Sequence, residues 1–99
     1  MIKLTLLYGH PADPAAFERY YASVHLPLAA RMQGVRRAEF SKVIAPADGD
    51  APFYSIAELW FDSIPHLQSV LATPEAQKVV ADLPKFATGS VTTLMSEIP

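Results

Sequence analysis

Phe17-Glu18-Arg19-Tyr20-Tyr21-Ala22-Ser23-Val24-His25-Leu26-Pro27-Leu28 is the stretch on which the reading of this chain turns. Phe17, Tyr20, Tyr21, Val24 and Leu28 recur at spacings of three and four, which defines one face of an amphipathic helix. His25 follows Tyr21 by four residues, so the two rings occupy adjacent turns of that face. Pro27 has no N–H to donate to the carbonyl of Ser23 and disfavours helical geometry at Leu26. The helix is therefore expected to kink or restart just after His25, leaving the imidazole beside free backbone groups.

The helix begins where Gly9-His10-Pro11-Ala12 ends a strand, Ile2 to Tyr8, of alternating large apolar residues. Asp13 is an N-cap and Pro14 sits at the first helical position. After Pro27 the helix runs to about Met32, with Gly34 as a C-terminal cap. Val35 to Ile44 is a second strand. A polar stretch with two prolines, 45 to 52, is too long for a tight hairpin. Phe53 to Phe61 is the third strand, with Tyr54, Ile56, Glu58 and Trp60 on one face and Ala57, Leu59 and Phe61 on the other. Ser63 caps a helix with Leu67, Val70 and Leu71 inside. Thr73-Pro74-Glu75 starts another, with Val79, Val80 and Leu83 inside, stopping at Pro84. Thr88 to Ile98 is the last strand.

Strand, helix, strand, strand, helix, strand is the split βαβ, or ferredoxin-like, arrangement of an α+β protein. An antiparallel sheet then carries both helices on one face. Tyr54, Ile56 and Trp60 are too apolar to leave the second face to water, and a twin copy is the simplest cover. The 99 residues make one domain, 1–99, and their 51% hydrophobic share suits apolar surface buried against a second subunit. A net charge of −2 gives nucleic acid or an acidic membrane surface nothing to attract. No apolar run approaches the roughly 20 residues of a membrane span. No cysteine occurs, which excludes disulfides and zinc–thiolate sites. A cytoplasmic protein is the default expectation.

No phosphate loop, nucleophile elbow or H-E-x-x-H motif is present. A metal held by His10, His25 and Glu58 is conceivable, though none of the histidines has paired-ligand spacing. His25 has two readings. It is a structural histidine bonded to a freed carbonyl, or a general acid/base, a role suited to a group that titrates near neutral pH. His66 is expected to be an exposed first-turn residue. Most of the ten aromatic residues are expected to form the core, and the rest to line an apolar pocket between sheet and helix. Glu58, mid-strand, is either a buried carboxylate paired with Arg36, Arg37 or a histidine, or half of a salt bridge across a dimer.

Tyr8-Gly9-His10-Pro11, Phe17-x-x-Tyr20-Tyr21-x-x-x-His25-x-Pro27-Leu28, Ala57-Glu58-Leu59-Trp60-Phe61, Thr73-Pro74-Glu75 and Ala81-Asp82-x-x-x-Phe86 together resemble the EthD family. The resemblance covers nearly the whole chain and implies a dimeric α+β barrel, two sheets closed face to face. EthD proteins are linked to ethyl tert-butyl ether degradation, and many carry a reductase label. No nicotinamide- or flavin-binding feature accompanies it here. The wider superfamily includes cofactor-free monooxygenases, polyketide cyclases, isomerases and haem-degrading enzymes. The last group's Asn, Trp and His set is unmatched, since the chain has no asparagine.

The reading is a homodimeric enzyme without metal or cofactor, acting on an apolar or oxygenated small molecule. His25 is the expected acid/base, oriented by Tyr21 or Tyr8. Trp60, Phe40, Phe86, Glu58 and His10 are the expected pocket. The alternative is a non-catalytic dimer that binds such a molecule within a degradation pathway. A third reading is a purely structural dimer with His25 satisfied internally.

Overall fold

The computed structural model describes residues 1–44 and 51–99. Its elements are β1 (Ile2–Tyr8), α1 (Pro14–Tyr20), a π-helical segment (Tyr21–His25), α2 (Leu26–Ala29), β2 (Arg37–Lys42), β3 (Ser55–Phe61), α3 (Ile64–Leu71), α4 (Pro74–Asp82), a 3₁₀ turn (Leu83–Lys85) and β4 (Val91–Glu97). The strands form one antiparallel sheet in the order β2-β3-β1-β4, the ferredoxin-like α+β arrangement. Most of the 45–52 turn lies outside the described residues.

Three helix starts are set by local chemistry. The side chains of Asp13, Ser63 and Thr73 accept hydrogen bonds from the N–H groups of Ala16, His66 and Ala76, and a proline follows each cap. The helices cover one sheet face. One core cluster gathers Tyr8, Phe17, Tyr21, Ala57 and Phe86, and another gathers Ile2, Phe61, Leu67 and Val70.

Pro27 acts differently from the sequence expectation. The chain neither kinks sharply nor restarts, and Leu26 keeps helical angles of φ −62° and ψ −40°. The helix widens instead: the Leu26 N–H donates to the Tyr21 carbonyl, five residues back. This π turn puts Pro27 in the first turn of α2, where a missing N–H costs least. Ser23 adds to the irregularity by donating its hydroxyl to the Arg19 carbonyl.

Other expectations shift in detail. Tyr54 precedes β3 and packs on Phe17 at 5.3 Å, so it joins the helix-side cluster and not the open face. Val80 is 55% exposed, while α4 buries Ala76 and Asp82. His66 is largely covered: its Nδ1 accepts the Asp62 N–H at 2.9 Å and its ring packs edge-on to Phe61. The first helix ends at Ala29, before Gly34, whose φ of +94° turns the chain toward β2. No helix among the described residues is long and apolar enough to cross a membrane.

Candidate active site

The π segment begins at Tyr21 and ends at His25, and their rings stack 5.7 Å apart at 13°. His25 is 3% exposed. Its Nδ1 lies 3.0 Å from Oδ2 of Asp82, the last residue of α4, itself 4% exposed. Oδ1 of the same carboxylate accepts the Tyr20 hydroxyl at 2.6 Å, and Lys85 Nζ stands 3.9 Å from it. Phe86 closes the other side of the imidazole, its ring centroid 4.4 Å away. Asp82 therefore joins α1, the π segment and α4 through a single carboxylate.

Electrostatics decide the protonation of this group. Burial is the largest influence on Asp82 and pushes its carboxyl up. The hydrogen bonds from Tyr20 and His25, with the positive charge of His25 and Lys85, outweigh burial and hold it below the ordinary range. An ionised carboxylate only accepts, so the hydrogen in the 3.0 Å contact belongs to His25 Nδ1. In the neutral ring Nε2 then carries the lone pair. Nε2 makes no hydrogen bond among the described residues, yet it is not among their fully buried unpartnered atoms.

The His25 ring is among the residues lining an apolar cavity of about 60 Å³ between sheet and helices. Leu4, Leu6 and Ala57 line it from the sheet, and Ala29, Ala76, Val79 and Leu83 from the helices. Among the described residues that line it, His25 and Tyr8 alone have side chains carrying nitrogen or oxygen. An imidazole in an otherwise apolar wall suits proton transfer with an apolar molecule.

Two phenols complete the surroundings. Tyr8 and Tyr21 lie 5.7 Å apart, edge to face. Burial pushes the Tyr8 hydroxyl far above its ordinary range and pushes Tyr21 up to about 12. Tyr8 and Ser55 are near enough to ease the proton of Tyr21 slightly, yet neither stands in hydrogen-bond geometry. The Tyr21 hydroxyl is the one fully buried side-chain polar atom among the described residues with no partner. Such an orphan costs about 1–3 kcal/mol. Tyr21→Phe is accordingly expected to raise stability by about 1 kcal/mol, or about 4–8 °C in melting temperature. A calorimetric scan showing a lower melting temperature would contradict this account of the hydroxyl.

A family model for the EthD domain matches residues 9–90. The chain belongs to the EthD family. It is 40% identical, over 98% of its own length and 94% of the relative's, to an uncharacterized 11.0 kDa protein in the thcB-thcC intergenic region of Rhodococcus erythropolis. It is 30% identical to an ethyl tert-butyl ether d (ethd) family protein from Bacillus halodurans of known crystal structure, with a TM-score of 0.93 over 100% of this chain and 99% of that one. A looser likeness, to a hydroxynitrile lyase from Passiflora edulis, has 14% identity and a TM-score of 0.75 over 99% of this chain and 94% of that one. At that identity the likeness shows the fold alone.

The expected site residues of this EthD protein fall in three places. His25, Tyr8 and Phe40 line the cavity, and Tyr21 and Phe86 pack directly against His25. Phe40 is also 43% exposed, at the cavity's edge on β2. Trp60 and Glu58 lie on the opposite sheet face, where Lys3 pairs with Glu58 at 3.0 Å and Lys3 and Arg37 flank the indole. Lys3 thus takes the place expected of Arg36, Arg37 or a histidine. His10 is exposed, with Nε2 2.6 Å from the Ala51 carbonyl and its ring against Tyr54. His10, His25 and Glu58 do not converge, and no group of three or more acidic or histidine side chains among the described residues is arranged to hold a metal.

Asp82 and the hydroxyl of Tyr20 carry the geometry of the site, and sequence reasoning assigned neither. The available signal was a lone acid in Val79-Val80-Ala81-Asp82-Leu83-Pro84, an otherwise apolar helix end. An acid there needs a buried partner.

Proposed function

We propose that this EthD protein is a cofactor-independent acid–base enzyme that moves a proton on a small apolar or oxygenated molecule. His25 Nε2 takes and returns the proton, and Asp82, not Tyr21 or Tyr8, orients the ring. The observation that carries this reading is the 3.0 Å contact between Asp82 and Nδ1, which fixes the tautomer of a ring that lines an apolar cavity.

The test is deuterium incorporation. A panel of small carbonyl and nitro compounds is incubated with the protein in heavy water and read by mass spectrometry. Exchange by wild type that His25→Gln loses supports the enzyme. Ligands that bind and are recovered without deuterium favour the alternative, a dimer that holds such molecules within a degradation pathway. The buried, satisfied Nδ1 alone would suit a structural histidine, but the cavity beside the ring favours a site.

We further propose a homodimer, working in the cytoplasm, closed through the open sheet face. Leu7, Ile56 and Trp60 share that face, and Leu94 on edge strand β4 is 51% exposed. Lys3, Arg37, Glu39 and Glu58 surround Trp60 in mutually compensating pairs, so the face presents no single sign of charge to a twin. Sedimentation equilibrium is expected to give twice the 10.8 kDa chain mass. A mass of one chain at micromolar concentration would contradict the dimer.

A further inference from the structure

The cavity lined by His25 is small for a complete ligand. Its volume of about 60 Å³ falls well short of the roughly 300–1,000 Å³ of ordinary small-molecule sites. A groove of about 380 Å³ adjoins it on the surface between α2 and β2. Ala29, Met32, Phe40 and Leu59 line both spaces. Leu26, Ala30, Val35 and Ala38 extend the groove beyond the cavity. The groove follows the helix that carries His25, since Leu26 is the next residue along the chain. Phe40, at the junction, meets Tyr21 edge-on at 6.3 Å, and Tyr21 is the ring stacked on His25. Two arginines border the groove, and the charge of each is already answered. Arg36 donates to both oxygens of Asp62, at 3.0 and 2.7 Å, while Arg37 pairs with Glu39 and lies over the Trp60 ring.

We infer that cavity and groove form one continuous ligand site, and that its ligand is an elongated, uncharged, largely apolar molecule. The reacting end lies in the cavity lined by His25, and the tail runs past Phe40 along α2. This rests on the reading of that cavity as a ligand site and deepens it by setting the length and charge of the substrate. A molecule confined to the cavity would bury few atoms and bind weakly. A tail in the groove adds apolar burial, the dominant driving force for such a molecule. A carboxylate or phosphate on the tail would have to compete with Asp62 or Glu39 for an arginine, so a neutral chain suits the groove better. A second groove, lined by Val80, Leu83, Pro84, Ala87 and Val91, also borders the cavity. It shares two lining residues with the cavity where the α2 groove shares four.

The experiment is a chain-length series. Straight-chain alkan-2-ones from butan-2-one to octan-2-one are titrated by NMR into wild type, Ala30→Trp and Val91→Trp. Ala30 is exposed and lines the α2 groove but not the cavity, so the indole fills the groove and leaves the cavity as it is. Val91 does the same for the second groove. Wild type is expected to gain about two- to fourfold in affinity for each added CH₂ group, the worth of a half to fully buried methylene. Ala30→Trp is expected to bind butan-2-one as wild type does, which shows that its cavity is intact, and to bind octan-2-one about tenfold or more weakly than wild type. Val91→Trp is expected to match wild type throughout. A chain-length gain retained in Ala30→Trp, or lost in Val91→Trp instead, overturns the inference. So does a subunit mass lowered by Ala30→Trp in sedimentation, which would mark the groove as an interface between copies. If no ketone binds wild type, the cavity is not a ligand site and both readings fall. His25-dependent exchange with no chain-length gain would sink the groove alone, and the gain without such exchange would sink only the acid–base role.

Discussion

Replacing Asp82 with alanine is expected to destabilise the fold by about 3 kcal/mol, because two donors lose their acceptor at once. The buried Nδ1 would be left against apolar neighbours, and the part-buried Tyr20 hydroxyl would lose its acceptor. Asp82→Asn, which keeps the volume, should cost less stability. Its amide cannot accept from both donors with carboxylate strength, so the Nδ1–H tautomer loses its lock. The exchange reaction should then fall about 100-fold or more while the fold persists. A denaturation series in which Asp82→Ala unfolds like wild type would show that the carboxylate joins nothing of consequence.

The same carboxylate gives a pH signature. Its folded-state pKa lies below its ordinary value of 3.8, so ionised Asp82 contributes stability that is fully present above that value. The contribution is lost as pH falls through the lower, folded-state value. Wild type should therefore lose stability in acid below about pH 3.8 more steeply than Asp82→Asn. Asp62, bound to Arg36 on the surface, titrates in the same region, but it is present in both proteins and cancels in the difference. Parallel curves for the two proteins would contradict the assignment.

The second large effect concerns His25. Removing a positioned general base costs about 10²–10⁴ in rate. His25→Gln should lower deuterium exchange by that range with little change in ligand affinity, since glutamine preserves much of the apolar contact with Phe86 and Tyr21. A loss confined to affinity would mean that the imidazole is part of the wall and not the base. A drop of less than tenfold would mean that proton transfer occurs elsewhere.

The strands, the capped helix starts and the sheet topology were legible because each depends on neighbours in sequence. Asp13-Pro14, Ser63 and Thr73-Pro74 announce helices within three residues, and β1 and β3 alternate between faces. The histidine of interest was also legible, through its position before Pro27. What Pro27 does was not. Whether a helix kinks, restarts or widens depends on which backbone bonds the tertiary packing rewards, and here a π turn keeps both Tyr21 and His25 buried. The partner of His25 was hidden for a similar reason. Asp82 lies 57 residues away in sequence, and only the docking of α4 on the first helix brings it within reach. Glu58 shows the reverse case. Of its two readings, a buried carboxylate or half of a salt bridge across a dimer, the first fails, because its alternation with Ala57 and Leu59 places it on the open face with Lys3. Tyr54 left the face that alternation gave it, because the strand begins one residue later and its ring is free to fold over Phe17.

Nitrogen-15 NMR of the histidine rings, recorded where the imidazoles are neutral, tests the central claim most directly. The account predicts that His25 shows a protonated, pyrrole-type Nδ1 and a pyridine-type Nε2, and that Asp82→Asn weakens this bias. A His25 ring with its hydrogen on Nε2, or one averaging freely between tautomers in the wild-type protein, would contradict it.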